Sequence, residues 1–428
     1  MSNKKSSVLI IGINFYPEPT GIGKYTAEFA FALAEKGFDV AVITSFPYYP
    51  QWKIYKGYKN LWYKKETIKS VRITRCPLYV PSSLSGLKRM LQDFSFFLTG
   101  LGSLLGKMLA GKSYDLVFVP SPSFMSGFLG LFYSFFYRKT KFVYHIQDLQ
   151  VDAAEELGMI NSGVLLKMLK LAEGLILKSA DWVTTISAGM ANRISAKPVK
   201  IKQQYLFPNW VDFSNIYKKE PDLSRISQLG FPTNKRLSFY SGAVGEKQGL
   251  EMVIDVAKLA AAQLPELVFV IAGSGPYANV LKQKAQSLQL NNLFFIELQP
   301  LDIFNELLNY AFLHLVIQKD KASDLLLPSK LTNILAVEGL AIVTASPGTT
   351  LYDIVATNEL AFVVPPDNPD AFWNALLEIN NTPEKVALLK SNAGRYAFKY
   401  LEKDTIINDF LRELNLLQFA SAGVKPIA

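Results

Sequence analysis

The sequence predicts an α/β protein built as two doubly wound halves, and three observations carry that prediction. Apolar, β-rich runs alternate with helical patterns through most of the 428 residues, the signature of βαβ units and parallel sheets. Many of the runs, such as LVFVIAG (267–273), are apolar without alternation, as a strand covered on both faces requires. The alternation breaks once, over 197–236, which is rich in proline, lysine and serine and reads as a connection between domains. A chain of this length exceeds what one core usually accommodates. The expected division is an N-terminal domain over 1–200 and a C-terminal domain over 201–400.

In the first half the strand candidates are 8–13, 39–45, 71–76, 115–119, 141–146 and 181–187. In the second they are 237–243, 267–273, 292–297, 312–318, 341–346 and 360–365, with helical segments only thereafter. The uncharged stretch 116–137 reaches the length of a membrane span. Pro120 and Pro122 divide it into a short strand and a helix of helix-core length, so a strand–turn–helix unit is expected there.

Composition narrows the classes. Half of the residues are apolar and 19% are charged, which fits a packed globular protein and excludes a disordered one. One cysteine, Cys76, excludes an internal disulfide and a cysteine-rich metal site, and two histidines make a multi-histidine zinc site a poor fit. The apolar run after MSNKKSS is short for a signal sequence, so a cytoplasmic location is expected.

The net charge of +9 is unevenly placed. Between Trp52 and Arg75, eight lysines and arginines face one acid, Glu66, and aromatic residues are interleaved. That pattern fits nucleic acid or an anionic membrane surface; a solvated loop is the plain structural reading. The neighbouring apolar run FSFFLTGLGSLLG (94–106) favours a membrane-touching N-terminal half and no nucleic acid.

In open α/β sheets ligands sit at the carboxyl ends of strands, so the residues after strands are the candidates. NFYPEPTGIGKYT (14–26) follows the first strand and leads into a helix, with Gly21 and Gly23 in the turn. Glycine permits close backbone approach, and a helix start attracts an anion. The fingerprint is nevertheless incomplete for a P-loop or a dinucleotide site. SGAVGEKQG (241–249) places Gly242, Glu246 and Lys247 after a strand. GSGPYA (273–278) is a G-x-G-x-x-A turn with Gly273 and Gly275, and Glu297 ends the next strand candidate. This is the strongest feature for a dinucleotide-dependent oxidoreductase, although Pro276 removes an N–H from the turn. DLLLPSKLTN (324–333) carries Asp324, Ser329, Lys330 and Asn333. A lysine in the first turn of a helix is unfavourable unless an anion is near; Ser329 reads as a helix cap. His145 ends a strand candidate, with Asp148 and Asp152 beyond it; a hydrogen-bonded structural histidine is the plain alternative. No D-x-D pair occurs, which speaks against a paired-carboxylate metal clamp.

Taken in order, INFYPEPTGIGKYT, YHIQDLQVDAA, FPNWVD, YSGAVGEKQGLE, IAGSGP and LPSKLTNILAVEG span nearly the whole chain. Together they resemble the retaining glycosyltransferases of family 4, with the GT-B fold, and most closely the colanic-acid-type, WcaI-like branch. The resemblance implies two Rossmann-like domains facing a central cleft. A nucleotide-sugar donor is then held mainly by the C-terminal domain. The acceptor, a lipid-linked or growing polysaccharide, lies on the N-terminal side near Asp148 and Asp152. A final helix, about 403–418, is implied to return to the first domain. The implied donor set is Gly21, Gly23, Gly242, Glu246, Lys247, Gly273, Gly275, Glu297, Asp324, Ser329, Lys330 and Asn333. Within it Lys247 and Lys330 serve the diphosphate, and His145 lies near the transferred sugar. The mechanism implied is metal-independent and needs no cofactor. The family's paired glutamates are replaced here by Asp324 and Asn333. A membrane-binding scaffold without catalysis is the third reading of the same chain.

Overall fold

The computed structural model describes residues 6–19, 21–82, 86–156, 162–319 and 328–417. The chain divides into two compact units. One runs to Phe207 and takes in the chain again from Ile407; the other spans Pro208–Ile406.

The first unit is built on an eight-stranded sheet. Its strands are β1 (Ser7–Ile11), β2 (Asp39–Ser45), β3 (Lys64–Ile68), β4 (Val71–Cys76), β5 (Leu116–Ser121), β6 (Lys141–Ile146), β7 (Trp182–Thr185) and β8 (Gln204–Leu206). Their spatial order is β3-β4-β2-β1-β5-β6-β7-β8. The central strand β1 pairs in parallel with β2 on one side (Val8 opposite Val40) and with β5 on the other (Val8 opposite Leu116). Val8 to Ile11 are all buried, which is why this run shows no polar alternation. The direction of winding reverses between β1 and β5, so the loop after β1 stands at the switch point of this sheet.

Two strands were not expected. β3 pairs antiparallel with β4 through a tight turn in which Lys69 and Ser70 both take positive φ (46° and 63°), as a two-residue hairpin turn requires. The basic aromatic segment is therefore partly an edge hairpin, and its lysines blunt the free edge. β8 falls inside the stretch read as the connection between domains; three residues are too few for a periodic signal.

The stretch 116–137 resolves as expected into β5 and the helix Ser126–Phe136. No helix among the described residues is long and apolar enough to cross a membrane. Phe410, in the last helix Lys403–Glu413, stacks on Phe207 with ring centroids 4.1 Å apart and closes an aromatic cluster with Phe29 and Phe118.

The second unit holds a six-stranded, wholly parallel sheet: β9 (Arg236–Ser241), β10 (Leu267–Ala272), β11 (Leu293–Ile296), β12 (Leu313–Val316), β13 (Ala341–Thr344) and β14 (Phe362–Val364). Its order is β11-β10-β9-β12-β13-β14, with helices between the strands. Alternate residues of β10 enter separate cores: Leu267, Phe269 and Ile271 one, Val268, Val270 and Ala272 the other. Each of these side chains except that of Ala272 contributes roughly 1.5–3 kcal/mol by leaving water. All strands point the same way, so every βα loop of this unit emerges at one end, and the winding reverses between β9 and β12.

Candidate functional site

The loops after β9 and β12 meet at that reversal. Gly242 follows β9 with φ 147°, a conformation that excludes most side chains. A short 3-10 turn, Glu246–Gln248, comes next, its start held by the Gly245 N–H donating to Gln248 Oε1 at 3.0 Å. Gly249, at φ 63°, ends it. The Lys319 N–H donates to the Lys247 carbonyl at 3.1 Å and ties the loop after β12 to the turn. Glu246 and Lys247 are both exposed there.

The helix Ser329–Ala336 brings in Lys330. Pro328 takes the cap position and Ser329 is the first helical residue, so Ser329 is not the cap that the sequence suggested; proline presets the backbone there and the serine moves one place inward. The Lys330 ammonium lies over the Tyr240 ring, 4.0 Å from its centroid. A β-carbon on Gly242 would stand 3.5 Å from the same nitrogen. The Tyr240 hydroxyl donates to the Ala243 carbonyl at 2.7 Å, which fixes the ring under the lysine. Burial pulls the Lys330 ammonium down to about 7. Among the described residues no carboxylate pairs with it. Asn333 lies three residues on in the same helix, half-buried. Asp324 lies outside the described residues.

The glycines of the G-x-G turn have a different explanation. A β-carbon on Gly273 would stand 2.0 Å from the Gly242 carbonyl oxygen, and one on Gly275 would stand 2.1 Å from the Val244 carbonyl oxygen. The two loops cross backbone to backbone, joined by the Val244 N–H donating to Ser274 O at 3.0 Å. The space a pyrophosphate would take at those glycines is filled by residues 242–244, which removes the basis of the dinucleotide reading. Glu297 is exposed beyond β11, the edge strand, two strands away from β9.

In the first unit the loop after β1 is packed from within. A β-carbon on Gly23 would meet Glu18 Oε2 at 2.8 Å, and Gly21 takes φ 61°. Glu18 is buried; its Oε1 accepts the Tyr48 and Tyr49 N–H groups, both at 2.9 Å, and its Oε2 accepts the Asn14 amide at 2.8 Å. Burial pushes the Glu18 carboxyl up to about 7, against the pull of these donors and of Arg75. Arg75 is fully buried and donates to the carbonyls of Tyr16 and Ser45 and to Glu66. Sequence reasoning passed over Glu18 and Asn14, and it counted Arg75 in the basic segment offered to a membrane, whereas Arg75 points inward and is fully buried. The available signals were an acid between two prolines and a cation within an apolar strand.

His145 is the last residue but one of β6, with 3% of its surface exposed. Its Nδ1 lies 2.9 Å from the Thr184 hydroxyl and its Nε2 lies 3.1 Å from the Gln147 amide nitrogen. With that amide donating, Nε2 accepts and Nδ1 carries the proton. The ring packs between Phe118 and Phe207, and burial lowers it to about 3, so it is neutral. Asp148 is exposed between β6 and the helix Gln150–Glu156. Asp152 pairs with Lys197 at 2.6 Å, and Lys197 also holds Glu173 at 2.8 Å.

The structure thus brings Gly242 and Lys330 together at the switch point of the second unit, with Lys247 on the adjoining turn, Asn333 one helical turn beyond Lys330, and Gly273 and Gly275 as packing glycines beside Gly242. A cationic, glycine-lined strand end of this kind can receive a polyanionic group.

Comparison with known proteins identifies the family and the fold. The family model described as "Glycosyl transferase 4-like domain" matches residues 20–210, and the one described as "Glycosyl transferases group 1" matches residues 224–396. A protein of Escherichia coli (strain K12), WcaI, provisionally described as a colanic acid biosynthesis glycosyl transferase, is 37% identical over 414 residues, covering 95% of this chain and 99% of that protein. Among solved structures, sucrose-phosphate synthase from Thermosynechococcus elongatus superposes with a TM-score of 0.74 at 17% identity, over 96% of this chain and 98% of that one. Anabaena Alr3699/HepE in complex with UDP gives 0.71 at 14% identity, over 96% and 100%. At such identities these structures show the fold alone, which is GT-B.

Proposed function

The chain belongs to the group 1, family 4 glycosyltransferases, and from that premise we propose that it transfers a sugar, with retention, from a nucleotide diphosphate sugar to a lipid-linked or polysaccharide acceptor. The reading extends to bacterial surface polysaccharide synthesis, by similarity to the Escherichia coli relative. One observation carries it: the ammonium of the half-buried Lys330, desolvated over Tyr240 and against Gly242 at the switch point of the second sheet, without a carboxylate among the described residues. A desolvated cation left in this state favours an anion as its partner. The exposed Lys247 on the adjoining turn supplies a second charge.

As the glycosidic bond breaks, negative charge accumulates on the departing diphosphate. Two ammonium groups stabilise that charge more than they stabilise the intact donor, so transfer needs no metal in this reading. Asn333 serves the donor by hydrogen bonding without charge. His145 and the exposed Asp148 are assigned to the side of the transferred sugar and acceptor; Asp152 is held by Lys197.

The reading includes a site of action at the inner face of the cytoplasmic membrane. The helix Gly86–Leu109 exposes Leu87, Leu91, Phe94 and Leu98, spaced as one stripe, beside Lys88 and Arg89. Trp62 and Leu61 are also exposed. An apolar stripe flanked by cations suits an anionic lipid surface.

The test is a thermal-shift panel of nucleoside diphosphates followed by transfer assays with the matching sugars. Preference for one of UDP or GDP, with Lys247→Ala and Lys330→Ala each weakening binding and slowing transfer by roughly a hundredfold, is the expected result. EDTA leaves wild-type activity intact. Normal binding and turnover in both variants, or activity abolished by EDTA and restored by magnesium, would overturn the assignment.

A further inference from the structure

We propose that Glu18 is a positioning residue for sugar transfer, locking the glycine turn that opens the first helix to the loop that follows β2. The proposal rests on the transferase reading. It starts from what Glu18 touches. Glu18 is 3% exposed, and of the two tyrosines whose N–H groups it accepts, Tyr48 is buried and Tyr49 lies at the surface. Its Oε1 takes two consecutive backbone N–H groups, those of Tyr48 and Tyr49, thirty residues further along the chain. Its Oε2 takes the Asn14 amide and lies against the α-carbon of Gly23, where a methyl group would come within 2.8 Å.

Two loops at the carboxyl edge of the sheet, residues 14–19 after β1 and 46–50 after β2, are therefore joined through one side chain. Arg75 fastens the same loop from the other side, donating to Tyr16 O at 2.8 Å and to Ser45 O at 3.3 Å. Leaving the buried Tyr48 N–H without an acceptor costs about 1–3 kcal/mol, and the part-buried Tyr49 N–H less. That penalty opposes separation of the two loops.

The consequence concerns the helix start. The loop stands at the switch point of its sheet, where a substrate is expected. Glu18 stands beside the first turn of the helix Gly21–Glu35. The acidic group close to that turn is the protein's own, and its hydrogen bonds hold the segment that leads into the helix. Glycine at 23 is required by Glu18 itself.

The experiment compares Glu18→Gln, Glu18→Asp and Glu18→Ala in the full chain. Glutamine keeps the reach: its carbonyl accepts both backbone N–H groups, and its amide donates to Asn14 once that amide turns over. Aspartate is one methylene short. Steady-state transfer is read with hydrogen exchange at 14–26 and 46–50. Glu18→Gln is expected to stay within about threefold of wild type. Glu18→Asp is expected to lower kcat at least tenfold, with nucleoside diphosphate affinity unchanged and faster exchange confined to the two loops. If Glu18→Ala does not fold, the aspartate variant carries the test. Wild-type kcat in Glu18→Asp, or exchange that rises equally throughout the first unit, overturns the proposal. If the wild type itself transfers no sugar, the transferase reading falls and takes the catalytic claim with it; the exchange arm then shows separately whether Glu18 joins the loops.

Discussion

The Lys330 ammonium sits 4.0 Å from the centre of the Tyr240 ring, and this contact links the helix start after β12 to the last turn of β9. The ring face offers the cation partial compensation for lost water. It does not compensate fully, because burial still brings the ammonium down to about 7.

Diphosphate binding should therefore take up a proton. An anion favours the charged lysine, so affinity is expected to rise as pH falls through about 7, by up to roughly tenfold per pH unit for one proton. Lys330→Met should lose that part of the slope. Calorimetry in buffers of different ionisation enthalpy measures the uptake directly; identical slopes in the two proteins would remove Lys330 from the site.

His145→Ala should destabilise the first unit by about 2–4 kcal/mol, since it opens a cavity between Phe118 and Phe207 and leaves the Thr184 hydroxyl without its partner. Denaturant melts check this. An unchanged midpoint would contradict the packing seen here. If the ring also serves the transferred sugar, the folded fraction of the variant loses activity while keeping diphosphate affinity.

The raised Glu18 carboxyl predicts a stability gradient. Its folded value, about 7, exceeds the ordinary 4.5, so between those values the unfolded chain binds fewer protons than the folded one. Stability from this group is complete below pH 4.5 and is lost as pH rises through 7; it amounts to about 3 kcal/mol. Glu18→Gln mimics the protonated acid and should gain on wild type across that window. His145 and His314, both lowered to about 3 by burial, act oppositely, with stability lost as pH falls below 6.5. The difference between variant and wild type isolates Glu18, and a flat difference from pH 5 to 8 would refute the prediction.

For the lipid surface, Phe94→Glu and Leu91→Glu should each reduce co-sedimentation with vesicles rich in anionic lipid. Wild-type binding should weaken as salt rises. Binding absent at low salt, or unaffected by both substitutions, would dismiss this face as the docking surface.

The parallel strands were legible because their signal is local. A strand buried on both faces must be apolar at every position, and β1, β10 and β13 announce themselves in a few residues. Positions after strands could be named for the same reason, Lys247 and Lys330 among them. β3 and β8 were not legible: one is a polar edge hairpin and the other is three residues long. The sequence by itself determined the layered α/β class, the two windings and the loops where chemistry would collect, because hydrophobic periodicity reports burial along a single chain. Only the tertiary structure decided that Gly273 and Gly275 are spaced for a crossing backbone, that Gly23 makes room for Glu18, and that Lys330 lies on Tyr240. Each of these depends on which atoms from distant segments occupy the same few ångströms, and spacing along the chain carries no record of that.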